Sequence, residues 1–321
     1  MITAIGEVLI DFTPAGRTAA GIPLFEQNPG GAPVNVLACA AKLGARTACI
    51  GMVGADAFGD YLDGCLTAAG VDTRGLARCS EAGTTLAFVH LDDRGDRSFS
   101  FYRNPGADQR LTPADVTWEL VEQCRIFHFG SIALTQPPAC GTVMQAAKRA
   151  RALGKIISFD PNYRPPLWAE HDIACRRMQE GARLADIVKA SGEELPLLTG
   201  ETDPRKGAAA LLEMGCALVF VTMGPEGAFF AGRNAEGFLP ACEVNTIDTT
   251  GAGDGFLGAV LYRLQEKSRP ELGALGQAEL SDITRFANAV GSLVTTQKGG
   301  LPAMPAPEEV EKLMRERKTS E

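Results

Sequence analysis

The sequence predicts an α/β fold. Three observations carry that expectation: short apolar runs that read as strands buried on both faces, helical-period segments alternating with them, and glycine-rich junctions where helices begin. Residues 2–10 form the first apolar run and end at Asp11, a carboxylate where ligands of an α/β sheet bind, although aspartate also forms turns at strand ends. Asn28-Pro-Gly-Gly-Ala-Pro-Val-Asn35 then opens a helix expected to reach about Leu43, with Pro33 suited to its first turn. Gly30 and Gly31 allow close backbone approach, and the Asn35 amide both donates and accepts. That combination suits a polyol, while the glycine pair equally serves a plain turn.

Residues 46–53 read as a second strand and 56–69 as a helix, after which the pattern changes. Residues 84–91 and 97–103 are strand-like segments joined by Asp92-Asp-Arg-Gly95, with Phe99 and Phe101 alternating against serines, which reads as a hairpin. An antiparallel hairpin fits poorly among βα units, so it is expected to form a separate flap with residues 12–28. Such a flap excludes water from a reaction beneath it, or offers an edge to a protein partner. From residue 126 the alternation resumes, with a strand at 126–129, a helix at 138–153 and a strand at 156–159. The last runs into Asp160-Pro-Asn-Tyr-Arg164, whose arginine suits a phosphate or a carboxylate. The strand at 186–190 leads into Ser191-Gly-Glu-Glu194, a capping box that structure alone would explain. The strand at 218–222 is followed by Met223-Gly-Pro-Glu-Gly227, a turn that admits a nucleotide backbone-first. A long helix at 281–296 carries Ala287-Asn-Ala-Val-Gly291, small residues that permit close packing of a helix or of a flat ring, and residues 316–321 read as a tail.

The densest chemistry lies in Asp248-Thr-Thr-Gly-Ala-Gly-Asp-Gly-Phe256, which places three glycines and two aspartates in nine residues. Residues 243–247 read as a short strand, and Phe256, Leu257, Val260, Leu261 and Leu264 recur at helical spacing, so the glycines fall where a helix begins. First-turn amides and the positive end of the helix dipole make an anion site. Asp254 would repel a phosphate there unless it serves the reaction, for example by taking a proton from an attacking hydroxyl; an acid in a first turn also simply complements the dipole. Gly253, Gly255 and Gly258 spell the dinucleotide pattern G-x-G-x-x-G, but residues 269–279 read as loop where that fold needs a second strand ending in an acid. The Walker pattern is absent, which excludes P-loop phosphoryl chemistry.

A net charge of −8 argues against nucleic acid or an anionic membrane surface as partner, and 45% apolar content is ample for a core in 321 residues. No apolar run approaches the roughly 18 residues of a membrane span, and the first residues lack the basic start of a signal peptide, so a cytoplasmic protein is expected. The nine cysteines have no C-x-x-C pair and read as free thiols. His90, His128 and His171 show no metal-ligand spacing.

Gly30-Gly-Ala-Pro-Val-Asn35 and Asp248-Thr-Thr-Gly-Ala-Gly-Asp254 resemble the two signature regions of the ribokinase-like, or PfkB, sugar kinases, over about residues 2–315. Phe99-Ser-Phe-Tyr-Arg-Asn-Pro-Gly-Ala-Asp108, Asp160-Pro-Asn-Tyr-Arg164 and Lys189-Ala-Ser-Gly-Glu-Glu-Leu195 look most like the fructokinase branch. The resemblance implies one ribokinase-like three-layer α/β/α domain at 1–315, with a central mostly parallel sheet and a small β-sheet lid from 12–28 and 84–107. It implies ATP-dependent phosphorylation of a sugar hydroxyl, most like the 6-hydroxyl of D-fructose. The alternatives are a 2-keto-3-deoxygluconate kinase, a nucleoside or aminoimidazole riboside kinase, and a sugar-binding regulator on the same fold. By the same resemblance Asp254 is the catalytic base, with Gly251, Ala252 and Gly253 as its anion hole; Asp11, Gly30, Gly31, Asn35, Arg103 and Arg164 bind the sugar. Lys189, Thr222, Gly224, Gly227 and Asn288 bind ATP, and Glu194 reaches Mg2+ through water. Asp248 and Thr250 lie near a K+ site, and the exposed edges of the hairpin suggest a homodimer through the lid. Ser191 stands where many members carry Asn, which weakens the metal assignment more than that of the base, and Gly255 replaces the commoner Ala or Ser.

Overall fold

A computed structural model of the protein describes residues 1–91 and 97–318. Its strands are β1 (Ile2–Ile5), β2 (Leu9–Arg17), β3 (Pro23–Gly30), β4 (Thr47–Gly54), β5 (Val71–Cys79), β6 (Leu86–Leu91), β7 (Arg97–Tyr102), β8 (Ile126–Gly130), β9 (Ile156–Asp160), β10 (Ile187–Ser191), β11 (Leu218–Thr222), β12 (Ala228–Gly232) and β13 (Ala235–Leu239). They form a nine-stranded sheet in the order β13-β12-β11-β10-β9-β8-β1-β4-β5 and a four-stranded sheet in the order β3-β2-β6-β7. The large sheet is parallel from β11 to β5 and antiparallel only at β11-β12-β13. This is a ribokinase-like architecture, the fold class expected.

Helices cover both faces of the large sheet, and its strands alternate between the two cores they create. Ile126, Ile156, Ile187 and Leu218 join one cluster with the Ala32–Lys42, Ala252–Leu264 and Gln277–Val294 helices. Their neighbours Phe127, Ile157, Val188 and Val219 join the other, with the Ala139–Ala152 and His171–Leu184 helices. Burial on both faces is why these strands read as continuous apolar runs rather than as an alternation. No helix among the described residues is long and apolar enough to cross a membrane.

Several local expectations change. Residues 2–10 are not one strand: β1 ends at Ile5, Gly6 to Val8 carry the chain out of the large sheet, and β2 opens the small one, antiparallel to β3 and parallel to β6. The two halves are equally apolar, so periodicity does not register a change of sheet. Asp11 therefore lies inside a strand of the small sheet, opposite Asn28, and not at the end of a large-sheet strand. Residues 243–247 form no strand; the amides of Ile247 and Asp248 donate to the Thr295 carbonyl at 2.7 and 3.1 Å, which ties the segment to the end of the Gln277–Val294 helix. β5, β12 and β13 escaped the sequence reading because each is short or half-exposed. Residues 269–279, read as loop, include the short helix Arg269–Leu272 and the start of the long one. The tail expected from 316 continues the Pro307–Lys318 helix through Lys318, which Lys312–Glu316 and Glu311–Arg315 pairs at helical spacing support. The hairpin turn at Asp92 to Gly95 and residues 319–321 lie outside the described residues.

Candidate active site

Two helix N-termini meet at the centre of the site. Gly251, at φ 77°, caps the Ala252–Leu264 helix, and Gly31, at φ 114°, caps the Ala32–Lys42 helix. The helices pack closely because residue 258 is glycine: a Cβ there would lie 2.7 Å from the Cys39 Cβ and 2.8 Å from the Val36 carbonyl oxygen. This approach brings Asn35 Nδ2 to donate to Asp254 Oδ2 at 2.8 Å. It also explains the G-x-G-x-x-G pattern without a dinucleotide. Gly255 and Gly258 lie within the helix facing Val294 and Cys39, and only Gly253 reaches a cavity.

A cavity of about 360 Å³ is lined by Asp11, Gly31, Asn35, Arg164, Lys189, Glu194, Thr250, Gly251 and Asp254. A second, of about 650 Å³, is lined by Gly224, Gly227, Ala252 and Asn288 together with Cys242, Phe256 and Gly291. Thr222, Thr249 and Gly253 line both, so the cavities meet at the first turn that carries Asp254. Residues at one end of β10 and β11 and in the loop that follows β9 line this junction, where parallel α/β sheets bind ligands.

Burial raises the pKa of Asp254, and the Glu194 charge adds to the rise; the Asn35 hydrogen bond, Lys189 and Arg164 oppose it. Asp11 is pushed up to about 7, chiefly by burial and further by Asp254 and Asp248, with Arg164 opposing. Lys189 is buried and donates to Asp160 Oδ2 at 3.0 Å. Burial acts to lower its pKa, but Asp160, Glu194 and Asp254 outweigh this and the net shift is upward, so the amine remains a cation. A Cβ at Gly253 would approach Lys189 Nζ to 2.9 Å, which places that charge beside the first turn of the Ala252–Leu264 helix. Glu194 Oε2 accepts from the Ser191 amide at 2.8 Å, and the Ser191 hydroxyl accepts from the Glu194 amide at 3.2 Å, so the expected capping box forms. Its other oxygen accepts from the Tyr163 amide at 2.7 Å, which fixes the Asp160-to-Arg164 loop on the site.

Some candidate residues lie elsewhere. Arg103 lines neither cavity. Its guanidinium is buried against Asp108 Oδ2, with further bonds to the Thr135 hydroxyl at 3.0 Å and the Ile132 carbonyl at 3.2 Å, so its donors face the protein and not a sugar. Lys189, expected at the nucleotide, faces the smaller cavity at the junction. Asp248 lines neither cavity; its two oxygens accept from the Thr250 amide at 2.8 Å and the Gly299 amide at 3.1 Å. Gly30 leaves room for Asp11, whose Oδ2 would lie 2.2 Å from a Cβ at that position. Gly31 is held more strictly: a Cβ would lie 2.4 Å from the Glu7 carbonyl oxygen at a left-handed φ. Gly31→Ala is therefore expected to lose about 1–3 kcal/mol of stability, read from urea denaturation.

The sequence reading did not single out Glu7 or Asn162, both of which line the smaller cavity. Glu7 had a signal, an acid inside an otherwise apolar run. Asn162 had none in composition; its φ of 41° appears only in the folded loop.

Residues 1–307 match the family model described as pfkB family carbohydrate kinase. Fructokinase-2 of Solanum habrochaites is 38% identical over 318 residues, covering 98% of this chain and 96% of its own. Among solved structures, a fructokinase with bound ATP from Xylella fastidiosa superposes with a TM-score of 0.91 at 36% identity, covering 99% of this chain and 98% of its own. A double mutant of the fructokinase from Vibrio cholerae O395, in fructose, ADP and potassium ion bound form, gives a TM-score of 0.87 at 34% identity, covering 97% of each chain. With a family match across nearly its full length laid over two joined cavities and a buried aspartate between them, this chain belongs to the pfkB family of carbohydrate kinases.

Proposed function

We propose that the protein is an ATP-dependent fructokinase that transfers the γ-phosphoryl group to the 6-hydroxyl of D-fructose, giving fructose 6-phosphate and ADP. The observation that carries the reading is the place of Asp254, in the helix turn shared by the two cavities. The smaller cavity takes the sugar and the larger takes ATP. Asn35 occupies Asp254 Oδ2, which leaves Oδ1 to receive the proton of the attacking hydroxyl. The amides of Gly251 to Gly253 and the Lys189 ammonium then stabilise charge on the phosphoryl group in flight. Asp11, Gly31 and Asn35 hold the sugar, and Arg164 balances the charge of the carboxylates around it. Thr222, Gly224, Gly227 and Asn288 form the nucleotide side; Asn288 acts by bracing the wall, since its Nδ2 donates to the Leu239 and Pro240 carbonyls at 2.9 and 3.1 Å. The small sheet closes over the sugar and keeps water from the transfer.

Among the described residues no three His, Cys, Asp or Glu side chains are grouped to hold a metal directly. The chain fits Mg2+ held indirectly: Glu194, which lines the smaller cavity at the junction, would accept from a water of the ion. When bound, Mg2+ neutralises charge on the β- and γ-phosphates. Asp248 and the Thr250 segment form a tied loop suited to K+, the ion bound in the Vibrio cholerae double mutant. Free cysteines throughout support a cytoplasmic site of action, and the exposed Ile22, Leu24, Phe25 and Tyr102 on and beside the small sheet support pairing of two copies through it, which sedimentation would detect.

Saturation kinetics with ADP detection on fructose, ribose, 2-keto-3-deoxygluconate and nucleosides test the substrate. Fructose is expected to give the highest kcat/KM, and a preference for the acid sugar would overturn the reading. Withdrawal of Arg103 disfavours that acid, because Asp11, Glu194 and Asp254 then outnumber Arg164 and Lys189 around the cavity. A regulator without activity would give no ADP with any sugar. The pH profile supplies a second check. Asp254 acts as a base only when ionised and its pKa is raised, while Asp11 titrates at about 7. The acid limb of kcat/KM for fructose is expected to begin near neutrality, above the ordinary carboxylate range of about 4. A profile flat from pH 8 to 5 would contradict it.

A further inference from the structure

Glu7 is the ionisable residue of the smaller cavity that the proposed mechanism leaves unused. It lies in the passage from β1 to β2, is 1% exposed, and its Oε1 accepts the Ala32 amide at 3.1 Å. Its Oε2 is buried with no hydrogen-bond partner, although the residue lines the cavity. Asn35 Oδ1, from the same cavity wall, is in the same condition. A buried polar oxygen left unpaired is costly, and folded proteins satisfy nearly all of them. Both residues line one cavity, and the Ala32 amide anchors Glu7 to the helix that carries Asn35, an arrangement that matches a ligand carrying several hydroxyls.

We propose that Glu7 is a further specificity-determining residue, hydrogen-bonding through Oε2 the 1-, 3- or 4-hydroxyl of fructose. The inference rests on the fructokinase reading of this cavity. It also identifies which polar group serves this end of the cavity in place of Arg103, whose guanidinium is turned to Asp108. Burial pushes the Glu7 carboxyl up to about 8, with its own amide, Arg103 and the Ala32 amide opposing and Asp108 adding to the rise, so the group is a neutral acid at pH 7. In that form Oε1 accepts from Ala32 while Oε2–H donates to the sugar. A glutamine reproduces both roles, with Oε1 accepting and Nε2 donating.

The test compares wild type, Glu7→Gln and Glu7→Met on D-fructose and on its 1-deoxy, 3-deoxy and 4-deoxy analogues, with KM for ATP as the internal control. Glu7→Met is expected to raise KM for fructose roughly tenfold with KM for ATP unchanged, and Glu7→Gln to recover most of the loss. On the one analogue that lacks the partner hydroxyl, the penalty of Glu7→Met disappears. An equal penalty on every sugar, or none on fructose, overturns the proposal, because a purely structural or water-bonded carboxyl would not single out one hydroxyl. If Glu7→Met does not fold, the infrared C=O band of the wild-type carboxyl, identified by its loss in Glu7→Gln, decides. A shift of that band when fructose is added supports the contact, and a band that is absent or unmoved overturns it. A wild type inactive on fructose would instead refute the fructokinase reading itself, so the two failures are separable.

Discussion

Replacing Asp254 with Asn is expected to lower kcat for fructose phosphorylation by about 10²–10⁴ while KM for fructose and for ATP change little. The substitution keeps the shape of the side chain and its contact with Asn35, whose Nδ2 donates to Asp254 Oδ2. It removes only the ability to accept a proton from the attacking hydroxyl. Because the carboxyl is buried, its basicity exceeds that of an exposed aspartate, and the lost proton transfer is correspondingly large. Steady-state kinetics separate the two readings of this residue. An acid present only to complement the helix dipole would, on replacement, cost at most about 2 kcal/mol of stability and leave turnover intact. Undiminished turnover in the Asn variant would therefore end the case for Asp254 as the base.

Replacing Arg103 with Met is expected to destabilise the fold by about 3–5 kcal/mol, because it leaves the buried Asp108 carboxylate without its ion partner. The side chains of this pair are 4% and 2% exposed, so solvent does not take over the lost contact. The Asp108 Oδ1 bond from the Thr85 hydroxyl, at 2.6 Å, remains but carries no compensating charge. Arg103 follows directly after β7 while Asp108 and Ile132 belong to the body of the protein, so the pair fastens the small sheet to the large domain. Urea denaturation measures the loss. A variant of wild-type stability whose KM for fructose rises sharply would instead place the guanidinium on the sugar.

The glycine-rich segments at residues 28–35 and 248–256 were legible because their chemistry is local. These two helix starts set a glycine at positive φ beside the free amides of a first turn, and both features show in the order of residues. The alternation of strand and helix, and the pairing of Glu194 with Ser191, are visible for the same reason. The break after Ile5 was not, since residues on either side are equally apolar and differ only in which sheet receives them. Arg103 was also beyond reach: its chemistry suits a sugar as well as a carboxylate, and only the fold shows that Asp108, five residues on, claims it.

The order of residues by itself determined that this is a mostly parallel α/β protein with glycine-led helix starts at Gly31 and Gly251, the second suited to an anion, and an acid at 254 in the same turn. Only the tertiary structure decided which polar groups share a cavity. Asn35 and Asp254 meet because Gly258 lets two helices separated by more than two hundred residues approach within van der Waals contact. Glu7 reaches the smaller cavity because the chain changes sheets there. Hydrogen bonds and charge pairs fall off within a few ångströms, so their partners are set by packing across the molecule and not by neighbours along the chain.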